Sequence, residues 1–156
     1  MQIHLIAVGT RMPAWVISGY GEYVRRMPHE CSLRLVEIPL SKRRKTQSAL
    51  KNRQEEGKAM LAALPEQATV VALDVRGKAW STETLAARLQ GWLQAGQDIA
   101  LLVGGPDGLA EECVARADMR WSLSPLTLPH ALVRVLLAEQ LYRAWSVIQG
   151  HPYHRA

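Results

Sequence analysis

Short apolar runs alternate with longer stretches of mixed polarity along the whole chain. Five of the apolar runs predict β-strands, at residues 3–8, 33–38, 68–75, 99–103 and 120–123. The stretches that follow them predict five helices, at about 14–26, 47–64, 82–93, 109–117 and 130–148. This alternation predicts an α/β fold, a mostly parallel sheet with helices on both faces, in a single domain over residues 1–156.

The third apolar run is expected to form the central strand. It is β-branched and nearly continuous in apolar character, which is typical of a strand buried on both faces. Asp74 lies near its end, where an acid binds a ribose in a dinucleotide site or simply caps a loop. Gly77 is expected to turn the chain, and Ser81 or Thr82 to cap the next helix.

The last predicted helix carries two polar residues on its apolar side. At 100° per residue, His130 and Arg134 fall within one arc of about 120° that also holds its main apolar stripe, Val133, Leu137, Leu141, Ala144, Trp145 and Ile148. The pair is therefore expected to point into a cleft or an interface. The first half of the helix is apolar almost all round, which predicts cover by another subunit. Alternatively, His130 is an ordinary satisfied histidine at a helix start.

A polar face is predicted on the other side of this helix, formed by Glu139, Tyr142, Arg143 and Ser146. Glu139 and Arg143 have the spacing of a surface ion pair, which favours a structural role. The tail that follows is polar and aromatic. A disordered terminus is one interpretation of it; stacking on a base and holding a phosphate is the other.

The glycine-rich stretch Gly104-Gly105-Pro106-Asp107-Gly108 follows the fourth predicted strand. Glycine lets a backbone come close to a ligand, although a turn that is only structural is the alternative. The stretch matches neither the phosphate-binding P-loop nor the dinucleotide fingerprint.

Charge and cysteine usage narrow the partners. The net charge of +5 and the pI of about 9.6 favour a polyanionic partner, with solubility as the alternative. Residues 41–45, Ser-Lys-Arg-Arg-Lys, are either a phosphate-contacting loop or a solvated connector. Two isolated cysteines, no signal-peptide pattern and no apolar run of about 20 residues predict a soluble, cytoplasmic protein that uses no membrane. Because the two tail histidines have no clustered carboxylates near them in the sequence, we expect no metal site.

Several motifs together resemble the RlmH family of the SPOUT superfamily of S-adenosylmethionine-dependent RNA methyltransferases. They are Ala7-Val-Gly-Thr10, Val103-Gly-Gly-Pro-Asp-Gly108, Leu123-Ser-Pro-Leu-Thr-Leu-Pro-His130, Glu139-Gln-Leu-Tyr-Arg-Ala-Trp145 and His151-Pro-Tyr-His-Arg155. The resemblance implies a trefoil knot within about residues 70–156, S-adenosylmethionine as cofactor, and a homodimer. It also implies methylation of N3 of a pseudouridine in 23S large-subunit ribosomal RNA on the assembled ribosome, with no DNA partner.

The resemblance also implies roles for particular residues. The cofactor is expected to lie among Leu73, Gly104, Gly105, Leu123, Ser124, Pro125, Leu126, Thr127 and Leu128. Pro125 departs from the small residue expected there and removes a backbone donor. The catalytic residues are expected to be His130, as proton acceptor, and Arg134. The RNA is expected to contact Arg143, Tyr153, His154 and Arg155, with the tail residues completing the partner subunit's site.

Two other functions stay open from the residues alone. One is a different nucleotide-binding α/β enzyme, with Asp74 on a ribose. The other is a ribosome- or RNA-binding module without catalysis, based on the basic run and the tail.

Overall fold

A single five-stranded sheet forms the middle of the protein in the computed structural model, which describes residues 1–41 and 47–155. Of the basic run at 41–45, only Ser41 falls within the described residues. The strands are β1 (Gln2–Val8), β2 (Ser32–Ile38), β3 (Thr69–Ala79), β4 (Ile99–Val103) and β5 (Met119–Ser122), in the order β2-β1-β4-β3-β5. All four strand pairs are parallel, which confirms the predicted α/β sheet.

Helices cover both faces of this sheet. They are α1 (Ala14–Val24), α2 (Ala49–Ala62), α3 (Thr82–Ala95), α4 (Glu111–Arg116) and α5 (His130–Ile148), with 3-10 helices at His29–Cys31 and Pro152–Arg155. One face packs on α1, α3 and α5, and the other on α2 and α4. Alternation along β1 supplies both cores, because Leu5 and Ala7 point to the first face while Ile6 and Val8 point to the second.

The crossovers follow a uniform handedness. The connections through α1 and α3 step toward the β2 edge on one face, whereas those through α2 and α4 step toward the β5 edge on the other. Opposite directions on opposite faces are what right-handed parallel crossovers require. As a result, the carboxyl ends of all five strands lie along the same edge of the sheet.

Local signals set several helix ends. The Ser81 hydroxyl accepts a hydrogen bond from the Thr84 backbone N–H at 3.0 Å, and Gly96 ends α3 with φ +65°. Ser48 caps α2 through the Lys51 N–H at 3.1 Å, so this helix begins at Ala49 rather than at 47. The helix expected at 109–117 is shorter, because Ala110 is still extended, with ψ 148°.

The prediction that Gly77 turns the chain was wrong. Strand β3 continues to Ala79, and after a shift in register Lys78 pairs with Trp121 of β5. A Cβ on Gly77 would lie 2.6–2.8 Å from backbone atoms of Arg120 and Trp121. This glycine therefore lets two strands approach closely, and the approach extends the strand beyond residue 75.

The C-terminal tail is ordered against α5. The Tyr153 ring packs edge-on against Tyr142, with ring centroids 4.7 Å apart. Tyr142 and Ser146, expected on a polar face, are buried beneath this cover. The single domain and the trefoil knot stay predictions. Among the described residues, none of the helices has the length and apolar character needed to cross a membrane.

Candidate active site

A cavity of about 550 Å³ opens at the carboxyl ends of β4 and β5, beside residues 73–75 in the middle of β3. The loop after β4, the loop after β5, the middle of β3 and the start of α5 enclose it, at the edge where ligands bind in parallel α/β sheets. Its wall is mostly apolar, with backbone groups, two serines, a threonine, Asp74 and His130 as the polar elements. A ligand site formed by the loops after β4 and β5 is expected from the sequence, and these two loops line one cavity.

Eight of the nine residues predicted to bind the cofactor line this cavity: Leu73, Gly104, Gly105, Leu123, Ser124, Leu126, Thr127 and Leu128. The ninth, Pro125, is not among its lining residues. The loop around Pro125 is fixed by its neighbours, since the Leu126 N–H donates to the Ser124 hydroxyl at 2.9 Å and the Ser122 hydroxyl donates to the Ser124 carbonyl at 3.2 Å.

The glycine-rich loop folds tightly on itself. The Gly108 N–H donates to the Gly105 carbonyl at 2.9 Å. A Cβ on Gly104 would lie 2.5 Å from the carbonyl carbon of Gly108 and 2.7 Å from the Leu109 nitrogen. The loop therefore requires glycine at 104 to bring its backbone along the cavity wall.

Asp74 lines the cavity, and Arg76 engages its carboxylate. The Arg76 N–H donates to Oδ1 at 3.0 Å and the guanidinium donates to Oδ2 at 3.1 Å. Burial would raise the pKa of Asp74, but the hydrogen bonds and positive charge of Arg76 lower it on balance. Asp74 and Arg76 both lie within β3, at the shift in its register, so this contact stabilises an irregularity of the strand and does not cap a loop.

His130 is the first residue of α5 and lines the cavity. Burial lowers its pKa below the ordinary value, and the positive charge of Arg134 lowers it further. The imidazole is therefore mainly neutral at pH 7, the form that can accept a proton. Its Nε2 faces the β1–α1 loop, since a Cβ on Gly9 would lie 3.4 Å from it.

Arg134 lies one turn further along α5 and is not among the lining residues. Its side chain is only 2% exposed. Nη1 donates to Glu37 Oε2 at 2.7 Å, and Nη2 donates to the Gly9 carbonyl at 2.7 Å. The expectation that Arg134 points away from bulk water holds, but the guanidinium binds the protein itself rather than facing the cavity.

The four residues predicted to hold RNA lie away from this cavity. Arg143 donates to Glu139 at 2.6 Å, and the Tyr153 hydroxyl donates to the same carboxylate oxygen at 2.9 Å. The Arg143 guanidinium also lies 5.0 Å from the Tyr153 ring centroid. His154 and Arg155 belong to the same tail. Arg143 follows His130 by thirteen positions of the helix, which is about 20 Å at 1.5 Å per residue.

Trp121 is a wall residue that the sequence argument missed. It is 3% exposed, lines the cavity, and stacks on Trp80 with ring centroids 4.7 Å apart. The Arg88 guanidinium lies over the Trp80 ring, 4.4 Å from its centroid. No local motif marks this stack, because it depends on the β3–β5 pairing.

Comparison with known proteins identifies relatives over nearly the full chain. A family model described as "Predicted SPOUT methyltransferase" matches residues 1–154. A protein of Alkalilimnicola ehrlichii named "Ribosomal RNA large subunit methyltransferase H" is 64% identical, over 100% of both chains. A protein of the same name from Thioalkalivibrio sulfidiphilus is 59% identical, over 99% of both.

A solved structure shares the fold. Its title is "Structural insights into the 2-OH methylation of C/U34 on tRNA". The match covers 93% of this chain and 91% of the other chain. The identity is 22% and the TM-score is 0.50.

Within residues 1–41 and 47–155, no three His, Cys, Asp or Glu side chains form a group that could hold a metal ion.

Proposed function

The chain belongs to the SPOUT methyltransferase family, and we propose that it methylates N3 of a pseudouridine in 23S large-subunit ribosomal RNA, with S-adenosylmethionine as the methyl donor. Methyltransferase activity on large-subunit ribosomal RNA follows from relatives of 64% and 59% identity. The observation that carries the cofactor part of the proposal is the cavity, since it is lined by eight of the nine residues expected to hold the cofactor; the choice of pseudouridine N3 rests on the family resemblance.

The cavity suits S-adenosylmethionine in size and chemistry. Its volume of about 550 Å³ falls within the range of roughly 300–1,000 Å³ that is usual for small-ligand sites. Backbone groups of the loops that contain Gly105 and Leu126 can hydrogen-bond an adenine edge, while Leu73 and Leu128 offer apolar cover. The bound cofactor supplies an electrophilic methyl group.

His130 is proposed as the group that takes the imino proton of the target base. N3 of a pseudouridine carries that proton and becomes nucleophilic only as the proton leaves. A largely neutral imidazole on the cavity wall has the lone pair to accept it. In-line transfer then depends on how the loops and α5 hold the two reactants, because positioning supplies much of the rate.

We further propose that the site is completed by a second subunit. The tail packs through Tyr153 against Tyr142 and Arg143, about 20 Å along α5 from His130, and none of its described residues lines the cavity of its own chain. The first half of α5 leaves Leu132, Val135 and Leu136 only partly covered, as expected if another copy packs there. In a homodimer, the Tyr153 ring and the positive charge of Arg155 can hold the RNA at the partner's cavity.

Family membership favours methyl transfer over the two alternatives. A ribose-binding role for Asp74 competes with the bonds that Arg76 already makes to its carboxylate. A binding module without catalysis would need neither the cavity nor a neutral His130. A ribosomal substrate also implies a cytoplasmic location, as expected from the sequence.

The test is transfer of labelled methyl from S-adenosylmethionine to three substrates from a strain that lacks this activity: assembled ribosomes, isolated large subunits and protein-free 23S RNA. The proposal predicts incorporation into 23S RNA, with assembled ribosomes as the best substrate. Calorimetry should show binding of S-adenosylhomocysteine and none of NAD or ATP. Absence of incorporation from all three substrates would favour the binding module, and binding of NAD would favour the other enzyme class.

A further inference from the structure

An ion pair between the buried Arg134 and the partly exposed Glu37 lies next to the proposed proton acceptor. Arg134 follows His130 by one helical turn and is almost fully buried, yet it does not line the cavity. A buried guanidinium is costly unless it is paired and hydrogen-bonded. Its two terminal nitrogens, Nη1 and Nη2, donate to the Glu37 carboxylate and the Gly9 carbonyl, each at 2.7 Å, while Nε is buried without a hydrogen-bond partner among the described residues.

Glu37 reaches this place because of the register of the sheet. Inward-facing Leu33 and Leu35 precede it at alternate positions of β2, so Glu37 points to the face that carries α1 and α5. It pairs with Ala7 of β1, two residues before Gly9. Packing of the sheet gives no reason for a carboxylate at this apolar position. The ion pair with Arg134 does give one.

The pair holds the loop that faces His130. Gly9 has φ +115°, and its N–H donates to the Ile38 carbonyl at 2.7 Å. Its carbonyl is bound by Arg134, while a Cβ on its α-carbon would lie 3.0 Å from Met12 Cε and 3.4 Å from His130 Nε2. The position of the loop and the position of the imidazole are thus tied to one guanidinium.

We propose that Glu37 and Arg134 are positioning residues that fix the Gly9 loop against the His130 imidazole and balance the charge next to it. This inference rests on the proposed function, in which His130 accepts the proton. Arg134 then acts through His130 and the loop rather than by touching the substrate.

The charges around His130 give this proposal a direction in pH. Arg134 lies next to it on α5 and carries the Glu37 carboxylate of β2 as its partner. Tyr20 of α1 lies within the field of Arg134, and Asp74 in the middle of β3 lines the same cavity as His130. Loss of the Glu37 charge leaves Arg134 less neutralised, so protonation of His130 becomes harder. Loss of the Arg134 charge makes protonation easier.

The test compares steady-state methyl transfer and its pH profile in Glu37→Gln, Arg134→Gln and Arg134→Lys, with Glu30→Gln as the matched control. Glu30 is an exposed acid that precedes the opposite end of β2. The proposal predicts that kcat falls roughly 10- to 100-fold in the first three variants, a range typical of about 1 Å of misplacement. The KM for ribosomes and the Kd for S-adenosylhomocysteine should change less than about threefold, because neither residue lines the cavity.

The fall of kcat/KM on the acid side of the pH profile distinguishes this proposal from a merely structural role, which would leave that part of the profile unchanged. This acid limb should shift to lower pH in Glu37→Gln and to higher pH in Arg134→Gln. It should stay in place in Arg134→Lys, which keeps the positive charge but loses the paired N–H donors of the guanidinium. A Glu37→Gln/Arg134→Gln double variant should be no slower than Arg134→Gln alone, since both changes interrupt the same contact.

Each result decides one way. Wild-type kcat and pH profile in Glu37→Gln, or a Glu37→Gln effect that adds fully to that of Arg134→Gln, would overturn the proposal. Equal losses of kcat and cofactor affinity with an unmoved acid limb would also overturn it, because they indicate a structural role alone. Failure of wild-type protein to incorporate methyl would instead refute the proposed function, so the two failures are distinguishable.

Discussion

Gly104→Ala tests whether the glycine-rich loop shapes the cofactor site. The new Cβ would lie 2.5 Å from the Gly108 carbonyl carbon, 0.9 Å inside the 3.4 Å at which ordinary contacts begin. All three crowded atoms belong to backbone, so no side-chain rotation relieves the overlap and the loop must move. Overpacking of this kind costs about 1–3 kcal/mol.

If that cost falls on the binding-competent loop, affinity for S-adenosylhomocysteine drops by about 5- to 150-fold, at about 1.4 kcal/mol per tenfold. Calorimetric titration measures the loss, and thermal unfolding separates it from global destabilisation. Gly91→Ala is the matched control, because its Cβ has no neighbour within 4 Å and it lies in α3. That change should stabilise the protein by about 0.5–1 kcal/mol and leave affinity unchanged. Wild-type affinity in Gly104→Ala would refute the assignment of this loop to the cofactor.

Three further predictions concern His130 and the tail. His130→Ala should lower kcat by about 100- to 10,000-fold, the usual worth of a general base, while the Kd for S-adenosylhomocysteine changes only a few-fold in calorimetry; unchanged turnover would rule out the base. In wild-type protein, kcat/KM should fall on acidification only below about pH 6.5, because burial and then Arg134 lower the pKa of His130 and only its neutral form accepts a proton; an acid limb above that pH would contradict the assignment. Tyr153→Phe removes the hydroxyl bonded to Glu139 and should lower the free energy of unfolding by about 0.5–1.5 kcal/mol in urea denaturation; equal midpoints would show that this bond does not hold the tail.

The periodicity of apolar residues was sufficient to predict the sheet, its helices and the two loops that line the cavity. Buried parallel strands leave continuous apolar runs, and caps such as Ser81 mark helix starts, so these signals are local. The direction of His130 followed from helical geometry alone. The match of the loops to S-adenosylmethionine depended on the family resemblance, because apolar side chains and backbone groups carry no distinctive chemistry.

The features that sequence reasoning missed arise from contacts between distant segments. Gly77 has the composition of a turn, but its role is set by the approach of β5. The partners of Arg134, the Glu37 carboxylate and the Gly9 carbonyl, come from residues 97 and 125 positions away in the chain. An acid in an apolar alternation was the only available signal for Glu37.

The most direct test of the account is to locate the methyl group by mass spectrometry. Ribosomes from a strain that lacks this activity would be incubated with S-adenosylmethionine and either the wild-type protein or His130→Ala, and nuclease fragments of the 23S RNA would be sequenced by mass. The account predicts one additional methyl group on a pseudouridine, at N3, with wild-type protein and almost none with His130→Ala. A methyl group on a ribose or on another base, or equal modification by the variant, would contradict it.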